Sequence, residues 1–401
     1  MNLNHAPSWV MAGRKKVLRV CNTDGALYVF RKPLIRALLA QGHEVVTICP
    51  DGLYIERLRT LGVRTHGLEF SRHSVSPVRN LLLLNRLTKI IRAERPDAVH
   101  GFTHKPVIFG ALAARLARVP RIVMTVTGLG TLFINDDRRA RLLRGALIAQ
   151  YRLALSRRVA VLFQNPDDLR ELVALHAVRA DQAVLTDGSG IDLDEFAVPG
   201  EAAVNESRAM LAAELGIDLI GKTIILFPAR GVREKGFLEF YEAASCIGKA
   251  HPDRYVFVHL GLIDSAAAGH FSSLDIDEFA QANGVHYLGF KDNILDYMAA
   301  ADVVALPSYR EGVPRSLIEA LALGKAIVTT NAPGCRETVV EGWNGYLCEP
   351  RSAISLAEAL LKVDPEMIAC ARMRSRDYCA QRFDVSKLNE LTFSLYGLEA
   401  R

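Results

Sequence analysis

No run of about 18 apolar residues occurs in this 401-residue chain, so the sequence predicts no helix that spans a bilayer. Residues 1–13 lack both the apolar core and the small-residue cleavage site of a secretory signal, and they read as a loose tail. The seven cysteines include no Cys-x-x-Cys pair. Their odd number and wide spacing argue against a disulfide framework or a zinc site and predict small buried side chains in a reducing compartment. The first strand-to-helix turn has no Gly-x-Gly-x-x-Gly, which removes a dinucleotide-dependent dehydrogenase. Short-period repeats and low-complexity tracts are missing as well. No recognition-helix motif, zinc-finger spacing or aromatic RNA-binding signature accompanies the basic residues, so nucleic acid is not an expected partner.

What is present describes a folded globular chain, 50% hydrophobic and 23% charged, long enough for two or three domains. The net charge of +5 conceals an asymmetry: residues 1–200 carry +12 and residues 201–401 carry −7. That split predicts two domains with different tasks, the basic one facing a membrane or phosphate. Two arginine-rich stretches, 77–95 and 138–158, carry much of the positive charge. The apolar stripe of the first (Leu81, Leu84, Leu87, Ile90, Ile91) reads as ordinary core packing, and the basic faces as surfaces for an anionic bilayer.

Short apolar runs alternate with amphipathic stretches, the pattern of parallel βαβ units. Strands are predicted at 17–21, 44–49, 98–101, 121–126, 159–163 and 183–185, with a helix around 33–39. The alternation restarts at 223–227, 255–260, 285–288, 303–306 and 326–330. The expected fold is therefore α/β, with two doubly wound Rossmann-like domains over 14–200 and 201–380. A C-terminal helix over 381–401 could pack back toward the first domain. The turn-rich stretch 194–207, with Pro199 and Gly200, reads as the linker.

Open parallel sheets bind ligands beyond the carboxyl ends of their strands, which directs attention to three loops. After 223–227 comes Pro228-Ala229-Arg230-Gly231-Val232-Arg233-Glu234-Lys235-Gly236, then Phe237, Phe240, Tyr241 and Ala244 at helical spacing. Arg230 and Lys235 thus sit beside a helix N-terminus, whose amides and dipole favour an anion such as a diphosphate. After 303–306 the chain reads Pro307-Ser308-Tyr309-Arg310-Glu311-Gly312-Val313-Pro314-Arg315-Ser316-Leu317-Ile318-Glu319-Ala320. Pro314 suits the first helical position and Gly324 the residue past the end, so Glu311 lies in the loop and Glu319 over a turn into the helix. Carboxylates at those two depths can accept hydrogen bonds from sugar or ribose hydroxyls, while the amides of Arg315, Ser316 and Leu317 face a phosphate. The third loop, Pro333-Gly334-Cys335-Arg336-Glu337-Thr338, closes the same edge.

These residues resemble the Glu-x7-Glu signature of the family 4 retaining glycosyltransferases, with Arg230 and Lys235 where that family keeps its diphosphate-binding cations. The resemblance covers nearly the whole chain and implies a GT-B fold, two Rossmann-like domains facing across a cleft, with the donor bound by the C-terminal one. It implies that Glu311 holds the donor-sugar hydroxyls, that Glu319 grips the ribose, and that Arg230 and Lys235 stabilise the departing diphosphate. Gly312, Pro314, Arg315, Ser316 and Leu317 would complete the donor site, and Leu288 and Gly289 would carry the base, with uridine the first choice.

More narrowly, the N-terminal half resembles members that build bacterial polysaccharides on undecaprenyl diphosphate. The matching stretches are His100 to Gly110, Val126-Thr127-Gly128-Leu129-Gly130, Phe163-Gln164-Asn165-Pro166-Asp167-Asp168 and Gly188-Ser189-Gly190-Ile191-Asp192. They imply a lipid-linked saccharide acceptor with His104, Lys105, Thr127, Gly128 and Ser189 on its side, and an enzyme peripheral on the cytoplasmic face of the cell membrane. The chain departs from the pattern at Asn22-Thr23-Asp24-Gly25-Ala26, where many members have Gly-Gly, and lacks the family's common His near Thr127. His100 and His104 read equally well as packed or surface residues. Asp192-Leu193-Asp194 and Asp275-Ile276-Asp277 imitate a metal-binding Asp-x-Asp by chance, so no metal or other cofactor is expected. A sugar-nucleotide epimerase and a non-catalytic sugar-nucleotide binder remain open as other functions of the same pocket.

Overall fold

The computed structural model describes residues 13–70, 76–263 and 269–398. Thirteen strands are found among them: β1 Lys16–Val20, β2 Glu44–Cys49, β3 Arg64–Gly67, β4 Ala98–Phe102, β5 Arg121–Val126, β6 Val159–Phe163, β7 Ala183–Leu185, β8 Thr223–Pro228, β9 Tyr255–Leu260, β10 Val285–Tyr287, β11 Val303–Leu306, β12 Ala326–Thr330 and β13 Gly345–Cys348. They build a seven-stranded sheet ordered β3-β2-β1-β4-β5-β6-β7 and a six-stranded sheet ordered β10-β9-β8-β11-β12-β13. The described pairings are parallel, and helices connect the strands, so both sheets are of the expected doubly wound α/β kind.

The central strands are buried and mostly apolar because helices cover them, although β1 also buries Arg19 and β4 buries His100. Val17, Leu18 and Val20 of β1 and Ile224 through Phe227 of β8 are buried. Two strands escaped sequence reading. Arg-Thr-His-Gly of β3 is a polar edge strand without an apolar run, and Gly-Tyr-Leu-Cys of β13 follows so closely on a turn that it reads as part of it. The expected linker is also partly helical. The helix Glu201–Leu215 opens at Gly200 and is built of good helix formers, so only the residues before it are irregular. The helix placed around 33–39 is longer, Asp24–Ala40, and carries Pro33 inside it.

By contact the chain divides into two compact units. One runs up to Thr125 and adds Leu153–Val161 and the segment from Asn389. The other comprises Val126–Arg152 and Leu162–Leu388. In the first unit a polar cluster is buried: His100 on β4 bonds the Tyr396 hydroxyl (2.6 Å) and the Thr125 hydroxyl (2.7 Å). Burial holds the His100 imidazole well below its ordinary pKa, with Arg19 and Arg31 adding to the shift, so it is a neutral core histidine. Among the described residues no helix is long and apolar enough to cross a membrane.

Candidate active site

The second unit gathers its candidate chemistry at the carboxyl ends of the six-stranded sheet, because the parallel register aligns those ends: Phe227 pairs with His259, His259 with Tyr287, and Leu306 with Thr329. The loop after β8 passes through a 3-10 turn, Arg233–Lys235, into the helix Phe237–Ala250. Phe237, Phe240, Tyr241 and Ala244 are all buried, as their spacing predicted. Gly236 links turn to helix at φ +76°, and a Cβ there would strike the Pro307 carbonyl, so glycine is needed both for conformation and for the approach of the β11 loop. The Tyr309 N–H then donates to the Glu234 carbonyl (2.9 Å).

This docking brings the Lys235 ammonium onto the Glu311 carboxylate in a part-buried ion pair. Glu311 is fixed through its backbone as well. Its N–H donates to the Pro333 carbonyl (3.0 Å), and Gly334 closes on the Glu311 and Gly312 carbonyls. Arg230 stands at the other end of the β8 loop, its Cα 3.2 Å from the position a Cβ on Gly261 would take. Gly261 in turn donates to the Gly289 carbonyl (2.9 Å), and the Leu288 N–H donates to the His259 carbonyl (3.0 Å). Leu288 and Gly289 therefore share an edge with Arg230, while Lys235, Glu311 and Gly312 form the neighbouring group. His259 supports that edge from below: its ring bonds the Ala229 carbonyl (2.9 Å) and the Tyr241 hydroxyl (2.8 Å). Burial lowers its pKa to about 4.

The helix Arg315–Ala322 opens one residue later than its sequence suggests, with Pro314 as N-cap at ψ 121°. Leu317 and Ile318 both donate their N–H groups to the Pro314 carbonyl (3.2 Å each). Of the three amides expected to face phosphate, that of Leu317 is thus engaged inside the first turn. Ser316 follows Arg315 on that turn. Glu319 is paired with Arg315 at 2.8 Å, and Arg315 also donates to the Gly190 carbonyl. Burial raises the Glu319 carboxyl pKa against the opposing pull of Arg315. Glu311 and Glu319 accordingly have separate cationic partners.

Thr127 and Gly128, expected on the acceptor side, lie against the loop that carries Glu311. A Cβ on Gly128 would come 2.9 Å from the Gly312 nitrogen, and one on Gly312 would strike the Thr127 carbonyl and Gln164. Ser189 is buried, and its Oγ has no hydrogen-bond partner among the described residues. His104 and Lys105 belong to the first unit, where they open the helix His104–Leu116.

Sequence reading missed what holds the Glu311 loop. Asn165 caps the helix Pro166–Ala174 by accepting from the Asp168 N–H (2.8 Å). Its Nδ2 donates to the carbonyls of Gly312 (2.6 Å) and Glu311 (3.2 Å). Arg310, next to Glu311, donates to Asp168 and Glu171 at 2.6 Å each, and Asp168 is almost wholly buried. Burial would lower the Arg310 pKa, but the two carboxylates outweigh it and raise it. The clamp closes across more than a hundred residues of sequence. An Asn before Pro at a strand end was its only local signal.

Both Asp-x-Asp look-alikes have backbone roles. Asp192 accepts from the N–H groups of Asp194 (3.1 Å) and Glu195 (3.3 Å), and Asp275 forms a capping box with Ser272.

The sequence family "Glycosyl transferases group 1" matches residues 218–377, and "Glycosyl transferase 4-like" matches residues 16–165. The chain is 30% identical over 376 residues to the N,N'-diacetylbacillosaminyl-diphospho-undecaprenol alpha-1,3-N-acetylgalactosaminyltransferase of Campylobacter jejuni, covering 94% of this chain and 96% of that one. It is 26% identical to the UDP-Gal:alpha-D-GlcNAc-diphosphoundecaprenol alpha-1,3-galactosyltransferase of Escherichia coli, covering 80% and 81%. The crystal structure of Anabaena HepE in complex with UDP and glucose superposes with a TM-score of 0.77 at 18% identity, covering 96% of this chain and all of that one.

Proposed function

We propose, since this chain belongs to the group 1 glycosyl transferases and has their GT-B fold, that it moves a sugar from a UDP-sugar to a saccharide carried on a polyprenyl diphosphate, with retention at the anomeric carbon. The observation that carries the reading is the Lys235–Glu311 pair at the carboxyl edge of the six-stranded sheet. As the glycosidic bond breaks, negative charge grows on the leaving diphosphate. Lys235, held at that edge on Glu311, stabilises that charge, with Arg230 of the same β8 loop as the second cation. Glu311, held by its backbone, orients the donor hydroxyls, and Glu319 shares itself between Arg315 and the ribose. The leaving phosphate oxygen takes the acceptor proton on the same face, so no separate base is required.

The names of the Campylobacter and Escherichia relatives support an undecaprenyl-diphosphate-linked acceptor, and the UDP and glucose of the Anabaena structure support the nucleotide. The excess positive charge of residues 1–200 supports docking on an anionic bilayer at its cytoplasmic face, an attraction that salt screens over about 8 to 10 Å. Incubation with radiolabelled nucleotide sugars, with and without a polyprenyl-diphosphate-linked saccharide, tests the reading. Label should enter the lipid fraction only when acceptor is present. Interconversion of the nucleotide sugar without acceptor would instead make the protein an epimerase, and binding without either reaction a sugar-nucleotide binder.

A further inference from the structure

Arg19, on β1 of the first unit, is wholly buried in the middle of the seven-stranded sheet. Its register partners are Thr47 on β2 and His100 on β4, and such partners send their side chains to the same face of a sheet. Arg31, from the helix Asp24–Ala40, is buried against that face as well. The guanidinium carbons of Arg31 and Arg19 lie 4.6 Å and 5.3 Å from the centre of the Phe102 ring, so two positive charges meet on one aromatic side chain. A ring quadrupole attracts a cation without neutralising it.

Arg19 spends one donor inside the cluster: its Nη1 donates to the Arg31 carbonyl (3.4 Å). Its Nε and Nη2, and the Thr47 hydroxyl beside them, are buried and have no hydrogen-bond partner among the described residues. The groups that act on the Arg19 charge are the Tyr396 hydroxyl and the Cys21 thiol, not a carboxylate. Burial pushes the pKa of both of these groups up, so each is neutral at pH 7. Burial also lowers the pKa of Arg19, but a guanidinium keeps its proton. A full positive charge thus sits in the core beside three donors, and a buried charge without a counter-charge is costly.

Donors alone, around a positive charge, call for an anion. Close packing between sheet and helices calls for a small one, since a phosphate or a carboxylate would have to displace side chains. We propose that this face of the sheet binds one chloride ion, held by Arg19 Nε and Nη2 and the Thr47 hydroxyl, with Arg31 as the second cation. The ion is structural. It neutralises the cluster on which Tyr396 is seated, and Tyr396 ends the helix Val385–Tyr396, whose last residues belong to the first unit. Chloride therefore sets how firmly the C-terminal segment is held, and neither the donor nor the acceptor reading enters.

The test is thermal unfolding of the full chain in sodium chloride, bromide and gluconate at matched ionic strength, together with anomalous diffraction from a bromide-soaked crystal. The midpoint should rise saturably with either halide, as mass action requires of a ligand bound only by the folded state, and not with gluconate, which is too large for the site. Bromide should give an anomalous peak beside Arg19 and Thr47. Thr47→Val keeps the side-chain shape and removes one donor, so it should weaken halide binding by about tenfold, the scale of one hydrogen bond to a charge. Arg19→Met should abolish the halide response, and Thr47→Val decides the matter if that variant fails to fold. An unchanged halide response in either folded variant overturns the proposal. Equal midpoints in chloride and gluconate do so too, because they reduce the salt effect to screening. Bromide found only at surface arginines, an adventitious ion only, overturns it as well.

Discussion

Lys235 and Glu311 meet because two short loops leave adjacent strands of one sheet, and each was legible as a loop charge beyond a strand end. Removing either should reduce turnover at least about a hundredfold, the usual loss for one preorganised electrostatic group. Both side chains are only part-buried, so Lys235→Ala and Glu311→Ala should fold, and near wild-type transfer by either folded protein would remove the donor-site assignment. Glu319 shows where residue-level reading stops. Its place on the helix was readable, but its 2.8 Å pairing with Arg315 depends on rotamers that spacing does not fix.

Among the elements, the Glu311 loop owes its shape to a helix N-terminus remote in sequence. Asn165 both caps the helix Pro166–Ala174 and donates to the loop carbonyls, and serine can do the first but not the second. Asn165→Ala should therefore lower stability by about 1 kcal/mol from the lost cap, and Asn165→Ser should restore most of it. Both should lower kcat more than they raise the donor KM, because the loop that positions Glu311 is loosened in each. Equal kcat values for Asn165→Ser and the parent would leave the residue a cap and nothing more. The two sheets were legible because eleven of the thirteen described strands read as short apolar runs between turn signals. β3 and β13 were not, since an edge strand needs neither feature. The clamp was invisible for a different reason: the Asp168–Arg310 bond spans 142 residues, and no periodicity reports a contact at that separation.

At the scale of the whole molecule, the buried His259 couples folding to acidity. Its imidazole protonates near 6.5 when unfolded and only at about 4 when folded, so between those values the unfolded chain binds the extra proton. Stability should therefore fall as pH drops from about 6.5 toward 4, by up to about 3 kcal/mol from this residue. Denaturant midpoints of the parent and His259→Gln measured across that window should converge at the acidic end, and parallel curves would exclude the coupling. Metal provides another test. With Arg230, Lys235 and a helix start supplying positive charge, transfer should continue in EDTA. Loss of transfer in EDTA that Mn²⁺ restores would return Asp192 and Asp275 to consideration.

The central claim is that the Lys235 and Glu311 edge breaks a nucleotide-sugar bond and rebuilds it on the same face of the sugar. The most direct measurement is proton NMR of the product formed from an α-linked UDP-sugar and a polyprenyl-diphosphate-linked saccharide. An α-configured new linkage, absent when Lys235→Ala replaces the parent, is the predicted result. A β-configured linkage, or product formed equally well without the Lys235 ammonium, would contradict it.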